Sequence, residues 1–156
     1  MTELTAGDPA RAAAENARRK AGAVAAERVL GADTIVALDG AILSKPGGEA
    51  QAREWLRALS GHEHDVWGGV CVTDAEGRRE AQVHTRVRFR TLRDHEVEWY
   101  LRTGEWRERA GGYAIQGRGA ALVCEIEGDY LNVVGLSAAA LLWLLPDLLA
   151  TPGARP

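Results

Sequence analysis

Residues 29–43 read VLGADTIVALDGAIL, and the architecture follows from them. The run from Val29 to Leu38 is apolar and rich in β-branched side chains, stops at Asp39-Gly40, and resumes from Ala41 to Leu43. Asp-Gly between two such runs signals a two-residue hairpin, because the favoured turns need positive φ at their centre. One carboxylate, Asp33, interrupts the first strand. A charge inside an apolar run is costly unless it is paired or binds a metal. Asp33 therefore reads either as a turn-capping residue or as a metal ligand or general base at a strand end facing a cleft.

Working outward, Asp8 to Arg28 reads as a helix. Asp8 can cap it, Pro9 suits its first turn, and alanines follow at helical spacing. Beyond the hairpin, Ser44-Lys45-Pro46-Gly47-Gly48 is a loop ahead of a second helix, Glu49 to Leu59. That loop reads as a plain turn or as a phosphate site, since a lysine there joins free backbone N–H groups. Two runs, Glu63 to Val72 and Ala81 to Arg90, read as strands joined at Asp74 to Gly77, and the second alternates well. Asp94 to Arg102 reads as a third helix capped by Asp94. Ala110 to Gly119 reads as glycine-rich loop, Ala120 to Ile126 and Tyr130 to Val134 as strands, and Ser137 to Leu149 as a terminal helix. These elements predict an α/β domain on a mixed, partly antiparallel sheet flanked by helices. One domain should span residues 1–150, with residues 151–156 a frayed tail.

The chain has 156 residues, 46% hydrophobic and 26% charged, with a formal net charge of −3. That balance gives no electrostatic reason to expect a nucleic-acid or anionic-membrane partner, though a pocket for a small anion needs only a few local cations. The longest apolar run, near Leu141 to Leu149, is broken by Pro146 and Asp147 and falls short of the roughly 20 residues that span a bilayer. No leader-like apolar stretch follows Met1, so a cytoplasmic protein is expected. Cys71 and Cys124 lie in apolar contexts and read as buried free thiols. His62 and His64 form a His-x-His pair, but two ligands without a third make a poor zinc site.

Of the 19 basic side chains, only Lys20 and Lys45 are lysine. In an arginine-biased chain, a lysine can survive because a compact ammonium does what a planar guanidinium cannot, or it can be unremarkable. The stretch from Arg109 to Gly117, RAGGYAIQG, reads as a glycine-rich connection or as backbone that approaches a ligand, with Gln116 able to donate and accept at a base edge.

Taken in order, Arg19-Lys20-Ala21, Gly31 to Val36, Ser44-Lys45-Pro46, Leu59 to His62, Thr85 to Phe89, Ala110 to Gly117 and Tyr130 to Leu136 resemble the Maf family of nucleoside triphosphate pyrophosphatases. The likeness spans about residues 5–149. It implies a Maf/ITPase-like two-lobed domain with a cleft, and hydrolysis of dTTP or UTP to the monophosphate and pyrophosphate. It also implies Asp33 as proton acceptor and metal ligand, with Mg²⁺ or Mn²⁺ as cofactor. Lys20 and Lys45 match phosphate-contacting lysines. Thr34 and Gln116 match positions tied to the dTTP/UTP-preferring subgroup, and Arg109 stands where the family usually has lysine. A homodimer is the oligomer implied. Family members open with a strand, a Ser-x-Ser-Pro-Arg-Arg loop and a metal-site carboxylate, which makes either a start assigned too far downstream or a shortened member the expectation. Glu3 lies near that carboxylate's place, at an unfavourable spacing from Asp8-Pro9. The rival expectation is a nucleotide-binding or regulatory module with little turnover.

Overall fold

The computed structural model describes residues 3–150, and the tail expected at 151–156 lies outside them. Five strands form one sheet: β1 (Val29–Leu38), β2 (Ala41–Leu43), β3 (Glu63–Asp74), β4 (Gly77–Phe89) and β5 (Val123–Glu127). Their order is β2-β1-β3-β4-β5, and all four pairings are antiparallel. Hairpins at both predicted turns explain the pattern. At the first, Asp39 (φ 49) and Gly40 (φ 80) both take left-handed backbone, bringing Leu38 opposite Ala41.

Helix α1 (Pro9–Gly22) lies on β1 and β3. Asp8 caps it, accepting from the Arg11 N–H at 2.8 Å. Its buried face is Ala12, Ala13, Asn16, Ala17 and Ala21, and glycines of the sheet meet these small side chains. A Cβ on Gly31 would stand 2.1 Å from the Ala17 carbonyl oxygen, and one on Gly69 would stand 2.3 Å from that of Ala13. The helix backbone thus rests directly on the sheet. It stops at Gly22, short of the predicted Arg28.

The main core lies between the sheet, α2 (Glu49–Leu59), α3 (Asp94–Thr103) and the segment from Trp106 to Leu122. Val66, Val87 and Phe89 supply the sheet side, while Leu56, Leu59, Val97 and Tyr100 supply the helices. A smaller cluster of Ala17, Ala21, Val29 and Cys71 sits under α1. The expected cap of α3 moves by one residue: Arg93 is the N-cap, and Glu96 accepts its backbone N–H at 2.8 Å.

Three further expectations are corrected. Residues Tyr130–Val134 form a short helix, α4, rather than a strand. Asp129 accepts from the N–H groups of Leu131 and Asn132, and Gly135 (φ 142) ends the turn, so local capping overrides the β-branched valines. The terminal helix α5 covers only Ala138–Leu144, because Pro146 cannot donate to a continuing helix and a 3-10 turn follows. Cys71 is buried as expected, but Cys124 is exposed because β5 is an edge strand. Among the described residues, no helix is long and apolar enough to cross a membrane.

Candidate active site

The spacing of α1 over the glycines decides the site. Asn16 and Lys20 are one helical turn apart, on the border of the face that touches β1, and both reach Asp33. Asp33 is 8% exposed. One carboxylate oxygen accepts from the Asn16 amide at 2.9 Å, and the other accepts from the Lys20 ammonium. The buried carboxylate is therefore paired on both oxygens. Of the two sequence readings of Asp33, the cleft-facing one describes its position, with one correction: Asp33 stands in the middle of β1, paired with Gly69, and not at a strand end.

Lys20 also lies 2.9 Å from a Glu3 carboxylate oxygen. Burial pulls the Lys20 ammonium down, but its hydrogen bonds to Asp33 and Glu3 outweigh this and hold it above the ordinary lysine value. The same Lys20 bond, against a smaller desolvation effect, holds the Glu3 carboxyl below the usual range. Lys45 extends the cluster, with its ammonium 3.8 Å from the second Glu3 oxygen and 3.8 Å from Glu108. Two lysines and three carboxylates thus alternate around one small volume.

That volume is a cavity of about 200 Å³. All six residues singled out from the sequence line it: Lys20, Asp33, Thr34, Lys45, Arg109 and Gln116. β1 supplies the floor, and the Thr34 hydroxyl lies 3.4 Å from the Gly135 carbonyl oxygen. Val133, Val134 and Gly135 form a second wall with α4. α4 is fixed through Asn132, whose buried amide reaches the Val66 carbonyl and the Thr85 hydroxyl, each at 3.1 Å. The third wall is the 108–116 segment, with Arg109 and Gln116 exposed at its rim.

Sequence reasoning missed Asn16 and Glu108 and discounted Glu3. Asn16 had one usable signal, since asparagine is a poor helix former placed here among alanines. Chain spacing misled for Glu3. Asn16 binds both the N–H and the carbonyl of Leu4, at 2.8 and 3.2 Å, and this draws the N-terminal segment back over the cavity. The two histidines part company: His64 is buried, and His62 is exposed beside the Ser60 carbonyl. Among the described residues, no group of three or more His, Cys, Asp or Glu could hold a metal ion alone.

Residues 2–148 match the family described as Maf-like protein. The dTTP/UTP pyrophosphatase of Pyrococcus furiosus is 45% identical over 142 residues, covering 88% of this chain and 75% of that protein. The dTTP/UTP pyrophosphatase of Deinococcus radiodurans is 47% identical over 142 residues, covering 88% and 73% respectively. A third of the same description, from an Anaeromyxobacter species, is 50% identical over 139 residues, covering 85% and 68%.

Proposed function

The chain belongs to the Maf-like protein family, and from that premise we propose that it is a nucleoside triphosphate pyrophosphatase acting on dTTP and UTP. The observation that carries the reading is the meeting of Lys20, Asp33, Thr34, Lys45, Arg109 and Gln116 in one cavity. Water adds to the α-phosphorus, the bond to the bridging oxygen of the β-phosphate breaks, and the products are the monophosphate and pyrophosphate. Asp33 takes the proton of the attacking water. Lys20 and Lys45 hold the phosphates and offset the charge that grows on the leaving pyrophosphate. Arg109 at the rim adds a further cation, and Thr34 and Gln116 read the base.

The donor set suits a hard divalent cation. Glu3 and Asp33 both crowd Lys20 with carboxylate oxygens, and Mg²⁺ is commonly held by one or two carboxylates with the substrate's phosphates completing the shell. Asp33 and Glu3 would hold Mg²⁺ or Mn²⁺. Such an ion supplies positive charge to phosphate oxygens and acidifies water. Asn16 keeps the Asp33 carboxylate oriented whether or not Lys20 is drawn away to phosphate.

The test is a nucleotide panel with product identification, run with added Mg²⁺ or Mn²⁺ and again with a chelator. Pyrophosphate release that favours dTTP and UTP and collapses with the chelator is the expected result. Nucleotide binding without turnover would instead support the regulatory module. Preference for a methylated purine nucleotide would defeat the base assignment.

A further inference from the structure

His64 is a buried titratable group for which the proposed hydrolysis has no use. It is 2% exposed on β3, and its Nε2 lies 2.8 Å from the Tyr113 hydroxyl. The imidazole meets Phe89 and Tyr113 edge-on, with ring centroids 5.1 and 5.5 Å away. Its Nδ1 is buried without a hydrogen-bond partner. Burial pushes the imidazole down to about 4, against a smaller opposing pull from Asp65, so the ring is neutral near pH 7. Burial also pushes the Tyr113 phenol up, which keeps its hydroxyl protonated.

A neutral imidazole and a phenol carry two polar hydrogens between them, and one shared bond satisfies only one. Whichever tautomer is present, the other hydrogen is left without a partner in the pair. An all-phenyl arrangement would pack here with no such loss, so packing alone does not account for the pair.

The position of Tyr113 supplies an account. It follows Gly111 (φ 68) and Gly112 (φ 72), two buried left-handed residues that turn the chain ahead of Gln116. Among the described residues, three hydrogen bonds tie residues 111–114 to other elements. The Gly111 N–H donates to the Ser44 carbonyl at 3.1 Å, the Ala114 N–H donates to the Tyr100 hydroxyl at 2.9 Å, and Tyr113 joins His64. Gly111 also packs against Val36 of β1, but among the described residues the last of these hydrogen bonds is the one that ends on a strand, β3, which pairs directly with the β1 strand that carries Asp33.

We propose that His64 is a positioning residue for substrate selection: its bond to Tyr113 fixes the 109–117 segment, and with it Arg109 and Gln116, at a set distance from Asp33. The proposal rests on the pyrophosphatase reading above and assigns His64 no contact with substrate. Loosening the bond loosens base recognition and leaves the chemistry at Asp33 largely intact.

Tyr113→Phe and His64→Phe test it. Each should raise KM for dTTP or UTP about tenfold, the worth of roughly one hydrogen bond, with kcat within about twofold. Each should also narrow the difference in kcat/KM between favoured and disfavoured nucleotides. The double variant should cost no more than either single one. His64→Gln, which can still offer an amide to the phenol, should recover part of the loss. Amide exchange of residues 112–116 in the unliganded protein should speed up in both single variants. If His64→Phe fails to fold, Tyr113→Phe removes a single hydroxyl and decides alone. Additive costs, a fall in kcat with KM unchanged, or unaltered exchange and selectivity would overturn the proposal. The exchange measurement needs no turnover: an inactive wild type would defeat the pyrophosphatase reading, and exchange would still decide whether His64 fixes the segment.

Discussion

At the scale of single residues, Asp33 carries the sharpest expectation. Its carboxylate is held by Lys20 on one oxygen and Asn16 on the other, so Asp33→Asn keeps the shape and removes the proton acceptor. The variant should lose at least about a hundredfold in kcat with little change in KM, read as pyrophosphate release. Lys45 is half exposed, and its nearest carboxylates stand 3.8 Å away, which leaves it free to meet phosphate. Lys45→Ala should therefore raise KM more than it lowers kcat, in the same assay. The two lysines and Asp33 were legible in the sequence because each breaks a local pattern: a lysine among arginines, a carboxylate in an apolar strand. Asn16, Glu108 and His64 were not, because their partners are distant in the chain. His64 and Tyr113 are 49 residues apart, and nothing near either one announces the other.

Elements matter here through how closely they approach one another. The alanine face of α1 fits β1 and β3 only because Gly31 and Gly69 have no Cβ. Gly31→Ala would drive a methyl into the Ala17 carbonyl and the Ala21 N–H, both helix backbone that cannot rotate away. The cost should be at least about 1–3 kcal/mol, seen as a lower Tm. Activity should fall as well, because Asn16 and Lys20 ride on the displaced helix. An unchanged Tm would mean that α1 does not rest on the sheet as described. The hairpins, α2 and the long strands were readable because turn residues and alternation act locally. The helix at Tyr130–Val134 was not, because two valines advertise a strand while the deciding features are the Asp129 cap and Gly135. The stop of α5 at Pro146 follows from a rule available in the sequence, but the leucine run obscured it.

For the molecule as a whole, acid should weaken the fold, and His64 sets the first step. Its folded pKa of about 4 lies below the ordinary 6.5, so between these values the unfolded chain binds more protons than the native one. Its effect is absent above about pH 6.5, and stability falls as pH drops toward 4, by on the order of 3 kcal/mol if no other group relaxes. Carboxyls held low by partners, including Glu3 beside Lys20 and Glu80 beside Arg18, add a loss in the same direction at lower pH as they are protonated. Denaturant unfolding of His64→Phe should lose most of the slope between pH 6.5 and 4.5, and an unchanged slope would contradict the burial of a neutral imidazole. Folding, pairing and cavity formation all converge on one group, the Asp33 carboxylate at the buried end of a run of alternating charge. The most direct measurement of that convergence is product analysis of dTTP and UTP turnover by the wild type and by Asp33→Asn under identical Mg²⁺. The account predicts monophosphate and pyrophosphate in equal amounts from the wild type and almost none from the variant. Orthophosphate and the nucleoside diphosphate as products, or pyrophosphate formed equally well by the variant, would contradict it.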